Sequence, residues 1–176
     1  MSTLTVKELA APTGFDLKIA SGETLDLKSQ GTVTMPAGSV LQVVQAELCT
    51  ETGSTSNSYA DIGLSATMTC ASSSNKILVN VQVGGIRHYG GNTGVNLKLQ
   101  KDSSDWKVLG IRLSNLDDSS PSANSIGGTG GSFLDAVGDT SAHTYKVQMA
   151  RRQSVGTVRV CDDNSCSTIT LMEVQV

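Results

Sequence analysis

The residues of this chain that could do chemistry are four cysteines, two histidines and two pairs of adjacent aspartates. The cysteines are Cys49, Cys70, Cys161 and Cys166. Four cysteines allow three pairings, and sequence order alone does not select one. Cys161 and Cys166 flank Asp162, Asp163, Asn164 and Ser165, a polar turn segment between two β-like runs. Antiparallel partners across a short hairpin bring their Cα atoms within disulfide range, which favours Cys161–Cys166 and leaves Cys49–Cys70 by elimination. A loop that short removes little chain entropy, so such a bond would mainly rigidify the hairpin tip. Zinc needs a second close pair of ligands, and His88 and His143 stand far from the cysteines in sequence, so no metal site is expected. Calcium needs six to eight oxygens from spaced ligands. Adjacent aspartates such as Asp117–Asp118 and Asp162–Asp163 point apart and read as solvated surface.

Catalytic signatures are missing as well. The chain has no Gly-x-Ser-x-Gly elbow, no His-Glu-x-x-His helix and no Walker loop. Gly127 to Gly131 superficially looks like a phosphate cradle, but neither the Lys-Ser/Thr pair nor a following helix is present. His143 precedes a strand-like run with no Ser or Cys nucleophile near it. No catalytic residue and no cofactor are therefore expected, and the chain reads as a non-enzyme. Two features suit binding instead. Arg87, His88 and Tyr89 lie between glycine pairs in a segment expected to be exposed, and together they make a contact patch for a partner or a glycan. Trp106, the single tryptophan, reads as core or interface packing. It is also the residue whose flat face and polar edge could stack a sugar.

The elements that carry these residues are strands. Glycine numbers 18 and aromatic residues make up 3% of the 176 positions, which describes a turn-rich chain with a thin aliphatic core. Net charge is −3 with both signs scattered. Arg151–Arg152 is the one basic doublet, so a coherent nucleic-acid face is not expected. The N-terminus has no apolar h-region, and no apolar run approaches the roughly 18 residues of a membrane span. Synthesis in a cytoplasm without a signal peptide, and no membrane insertion, are the expectations.

The first forty residues carry Gly14, Gly22, Gly31 and Gly38 between short alternating runs. Leu17 and Ile19, Leu25 and Leu27, and Val33 and Met35 give each run one apolar face. Units this small cannot bury that face alone and become stable by stacking or by packing around a threefold axis. Residues 1–38 are thus read as an anchor or shaft, and residues 39–176 as the main domain.

In that domain, Val40 to Leu48 reads as a strand buried on both sides. Ile62, Leu64, Ala66 and Met68 alternate on one face, and Lys76 to Val83 is a central strand. Val95 to Gln100, Trp106 to Leu113, Thr144 to Met149, Val155 to Cys161 and Thr168 to Val174 follow. Ser114 to Ser132 reads as a long polar loop. About eight short strands with no amphipathic helix give an all-β, antiparallel β-sandwich of jelly-roll type.

Several stretches resemble phage virion proteins that carry a C1q- or tumour-necrosis-factor-like jelly-roll domain. Gly38 to Gln45 is similar to that family's opening strand. Tyr59 to Thr69 with Ser74 to Val79 resembles its second and third strands. Leu134 to Val137 with Ser141 to Gln148 resembles its penultimate region, and Ser167 to Val174 its closing strand. The resemblance implies a homotrimer whose closing strands pack near the threefold axis. It also implies residence in a virion, with tail-baseplate or capsid proteins and possible host-surface glycans as partners. The implied role is a short tail fibre with a receptor-contacting head, or alternatively a capsid decoration (cement) protein. The four cysteines depart from the family pattern.

Overall fold

Alternation of apolar and polar residues sets the strands, and the way they nest sets the fold. The computed structural model describes residues 21–22, 35–114 and 127–176, of which Met35–Val176 form one compact unit. The strands are β1 (Val40–Leu48), β2 (Thr52–Ser54), β3 (Ala60–Thr69), β4 (Lys76–Tyr89), β5 (Val95–Lys101), β6 (Ser104–Leu113), β7 (Gly127–Asp135), β8 (Ala142–Arg151), β9 (Thr157–Val160) and β10 (Ser167–Val174). No helix occurs among the described residues. The innermost hairpin, β5–β6, turns through Asp102 and Ser103 at φ of 49° and 70°. Positive φ at both central residues is the turn whose twist matches that of paired strands.

Around that hairpin the antiparallel pairs nest: β4 with β7, β3 with β8, and β1 with β10. A long hairpin wound in this way is a jelly roll. Its two sheets run β1-β10-β4-β7 and β3-β8-β5-β6, with β9 pairing the far end of β4 and β2 pairing β9. The fold expected from the sequence, an all-β antiparallel sandwich, is the one observed.

Between the sheets lies an aliphatic core. Ile77, Val79, Val81, Ile169 and Leu171 face inward from the first sheet; Ile62, Leu64, Leu97, Leu99, Val147 and Met149 do so from the second. Tyr145 is fully buried among them and donates its hydroxyl to the Asp135 carboxylate. Burial, and then that carboxylate, push the Tyr145 phenol far above its usual range. Glu173 is 1% exposed. It is held by Asn75 Nδ2 at 2.6 Å, the Ala71 backbone N–H at 2.7 Å and Gln42 Nε2 at 2.6 Å. One carboxylate thereby ties β1 and the β3–β4 turn to β10.

The first sheet contains an interruption that bears on the cysteines. β9 and β10 run in the same direction along β4, as if they were one strand broken by residues 161–166. β4 has a bulge opposite the break, where the Cys161 and Asp162 amides donate to the Gly84 and Gly85 carbonyls at 3.0 and 3.2 Å. Gly85 has φ +58°, and a Cβ there would lie 2.1 Å from Ser165 Oγ and 2.3 Å from the Asp162 nitrogen. Only glycine admits the broken strand so close.

Two segment boundaries differ from expectation. Gly84–Gly85 does not end the central strand but marks where β4 exchanges the partners β10 and β7 for β9. Gly127 to Ser132 is not loop but the first part of β7, paired to β4 from Gly127–Ile86 onward. The remainder of the expected loop, residues 115–126, lies outside the described residues, and so do Asp117 and Asp118. Of the expected shaft positions, Leu17, Ile19, Leu25, Leu27 and Val33 also lie outside them. Met35 is described and is 40% exposed.

Candidate functional site

The disulfide joins Cys49 to Cys166, while Cys70 and Cys161 are free and buried. This corrects both expected pairings. Cys161 and Cys166 do not face each other across a hairpin, because the strands they border run in the same direction. The β1–β10 ladder ends at Leu48–Ser167, so the next pair in register is Cys49 with Cys166. Cys161 instead points into the core, where its thiol lies 3.2 Å from the Leu48 carbonyl and 3.1 Å from Ser167 Oγ. Burial, and then the nearby Glu173 carboxylate, push the Cys70 thiol above its usual range. Glu47 lies close to the disulfide sulfurs, but those sulfurs are bonded to each other and offer no thiolates to a metal.

The expected contact patch at residues 87–89 is also corrected. A strand points successive side chains to opposite faces, so His88 turns inward and is fully buried. Neither of its ring nitrogens finds a hydrogen-bond partner among the described residues. Arg87 and Tyr89 share the outer face, where each already has a role. The guanidiniums of Arg87 and Arg159 each lie 4.5 Å from the centre of the Tyr89 ring. Arg159 also pairs with Glu51 at 2.8 Å. The Tyr89 hydroxyl donates to Asp162 Oδ2 at 2.6 Å, and Arg87 NH1 reaches the same oxygen at 3.2 Å. Asp162, expected as solvated surface, is 5% exposed. Burial alone would raise its carboxyl, but the Tyr89 hydroxyl, the Asp163 amide and Arg87 outweigh that and hold it below the usual range. The patch pins the excursion after β9 to the end of β4.

Trp106 does reach a cavity. The indole packs inward against Phe133 at 5.8 Å and Tyr145 at 5.4 Å between ring centres. Its half-exposed side joins Tyr59, Lys98, Asp105, Lys107 and Val108 around an open depression of about 200 Å³. Lys98 bonds Asp105 Oδ1 at 2.6 Å and rests 4.2 Å from the centre of the Tyr59 ring. Gln100 donates to the same Asp105 oxygen at 2.8 Å. The bond from Gln100, and then Lys98, hold the Asp105 carboxyl below its usual range, so it is ionised at neutral pH. The Lys107 ammonium lies 5.3 Å from the Trp106 ring centre and has no carboxylate partner among the described residues. Sequence reasoning found Trp106 and missed the rest, which gather only once β5 and β6 are paired.

His143 lies between two carboxylates, with Nδ1 2.7 Å from Asp102 and Nε2 3.1 Å from Asp139. With both nitrogens engaged, the ring is a clamp between the β5–β6 turn and the start of β8, and neither nitrogen is placed to accept a proton from a nucleophile.

The outer face of the first sheet changes polarity along its strands. One cross-strand row reads Val43, Met172, Leu78 and Leu134. The next outward row reads Gln45, Thr170, Asn80 and Ser132. Val43 is 56% and Leu134 55% exposed, and Val40, beside Val174 at the same end, is 49% exposed.

No family model matches the sequence, and no curated protein matches it. Among solved structures the chain is similar to the infectious bursal disease virus VP2 subviral particle, at 8% identity and a TM-score of 0.41, covering 87% of this chain and 37% of that one. It is also similar to the structure of the infectious bursal disease virus Gx strain, at 10% identity and a TM-score of 0.39, covering 86% of this chain and 42% of that one. The chain spans less than half the length of either structure.

Proposed function

We propose that the chain is a structural module of a bacteriophage virion, a homotrimer whose jelly roll is the receptor-contacting head of a short tail fibre. The observation that carries this reading is the apolar row Val43, Met172, Leu78 and Leu134 on the outer face of the first sheet. β10, the closing strand, runs through the middle of that face. An apolar row that crosses four strands and is exposed at both of its ends, Val43 and Leu134, marks a surface that another protein covers. The resemblance to trimeric jelly-roll virion proteins supplies the stoichiometry and the placement of the closing strands toward the axis. It also supplies the virion setting and the receptor role. Residues 1–38 then form the anchor or shaft.

The alternative, a capsid decoration protein, draws on a second exposed apolar pair. Val108 and Ile111, each 62% exposed, lie on the edge strand β6 of the other sheet. A clamp between capsid subunits needs two such faces.

Light scattering on the purified chain tests the assembly. A mass near three times 18.3 kDa is expected, and Leu134→Glu and Met172→Glu are expected to give folded monomers. A wild-type chain that stays monomeric at high concentration sinks the trimer. Antibody labelling of intact particles separates tail tip from head surface.

A further inference from the structure

We infer that the depression bounded by Tyr59, Asp105, Trp106, Lys107 and Val108 is a binding site for an acidic saccharide. This takes up the receptor-contact part of the proposed function and gives it a location and a ligand chemistry.

Saccharide sites combine an aromatic or apolar wall with hydrogen-bonding groups that have no protein partner. This depression has both. Tyr59, Trp106 and Val108 supply apolar surface, and Val108 is 62% exposed. Among the described residues, no hydrogen bond joins the Tyr59 hydroxyl, the Trp106 indole N–H or the Lys107 ammonium to the protein. Three donors without a protein partner thus belong to residues that line one opening. Asp105 adds an acceptor, because Lys98 and Gln100 both use Oδ1 and leave Oδ2 without a partner.

Charge selects the class of sugar. The two charges of the Lys98–Asp105 pair offset each other, so Lys107 is the uncompensated one. A carboxylate on the sugar would meet that ammonium, and its hydroxyls would meet Asp105 and the tyrosine. Lys98 acts as a positioning residue that fixes both Asp105 and the Tyr59 ring. The indole is already braced from behind by Phe133 and Tyr145, so the wall needs no rearrangement to receive a ligand.

Trp106 is the single tryptophan in the chain, so its emission reports on this depression directly. The full-length protein is titrated with trigalacturonic acid and, in parallel, with the neutral trisaccharide maltotriose. A saturable emission change is expected with the acidic sugar, weakened about tenfold by Lys107→Gln, a loss expected when one charge-assisted contact is removed. Tyr59→Ala is expected to abolish it, with circular dichroism confirming that both variants fold. No saturable change with either sugar overturns the inference. An equal response to both sugars that Lys107→Gln leaves untouched overturns the acidic class. Light scattering on the same samples reads assembly independently. A trimer with an empty depression removes this inference alone, and a filled depression on a monomer removes the trimer alone.

Discussion

Cys49 and Cys166 face each other one step beyond the Leu48–Ser167 pair that ends the β1–β10 ladder. The bond closes 117 residues of chain, so nearly the whole sandwich is wound between its two ends. In the chain-entropy account a loop of that size removes about 4–5 kcal/mol of denatured-state freedom. Replacing both residues by serine should lower the denaturant midpoint by a corresponding amount. Replacing Cys70 and Cys161 should leave a crosslink. Non-reducing peptide mapping is expected to recover residues 49 and 166 in one linked fragment, and a fragment joining 161 to 166 would refute the arrangement.

Gly85 is the position at which the broken strand touches β4. Gly85→Ala forces a side chain into positive φ and into contact with Ser165 and Asp162. A loss of about 3 kcal/mol or more is expected, because strain and overpacking act together. Gly127→Ala meets nothing within 4 Å and should change stability by less than about 1 kcal/mol in the same urea titration.

Glu173 links stability to pH. Its burial would raise its carboxyl, but Asn75, Gln42 and the Ala71 and Ser72 amides more than reverse that and hold it below the ordinary value of 4.5. Its contribution is therefore complete above that ordinary value and is lost as pH falls through the lower, folded one. Glu173→Gln replaces one accepting oxygen with an NH2 that faces donors, and should cost about 2–3 kcal/mol at neutral pH. The gap between variant and wild-type Tm should narrow as the pH drops below that range. A gap that stays constant down to strong acid would remove Glu173 from the account.

The strands that were legible in the sequence are those with one wet face and one dry face. Ile62, Leu64, Ala66 and Met68 announce β3 because every second residue is apolar, and each of them is buried. The glycine segments carry no such pattern, because glycine has no side chain to display one. Gly84–Gly85 resembles a turn and is a bulge, and Gly127 to Gly131 resembles a loop and is an edge strand. In that edge strand the ring of Phe133 covers the space a side chain at Gly131 would take. The cysteine pairing depended on the register between β1 and β10, which local spacing does not contain. Residues 87–89 looked like one patch, yet a strand sends its middle residue the other way. Arg87 and Tyr89 were found at the surface as partners of Asp162, and His88 in the core. Trp106 was legible as a packing residue, and the structure packs it against Phe133 and Tyr145 while it also lines an open depression.

The covalent bond at the far end of the β1–β10 ladder also governs how the module responds to pulling. Chain enters at Met35 and leaves at Val176, and the two ends run side by side, joined by the Gly38–Gln175 and Gln175–Ser39 backbone bonds. Tension applied between these ends would unzip β1 from β10 pair by pair until it met the crosslinked cysteines. Beyond that point the force passes through sulfur, and the rest of the sandwich is shielded from it. The length of chain that such tension could release is thus limited to the residues before Cys49 and after Cys166.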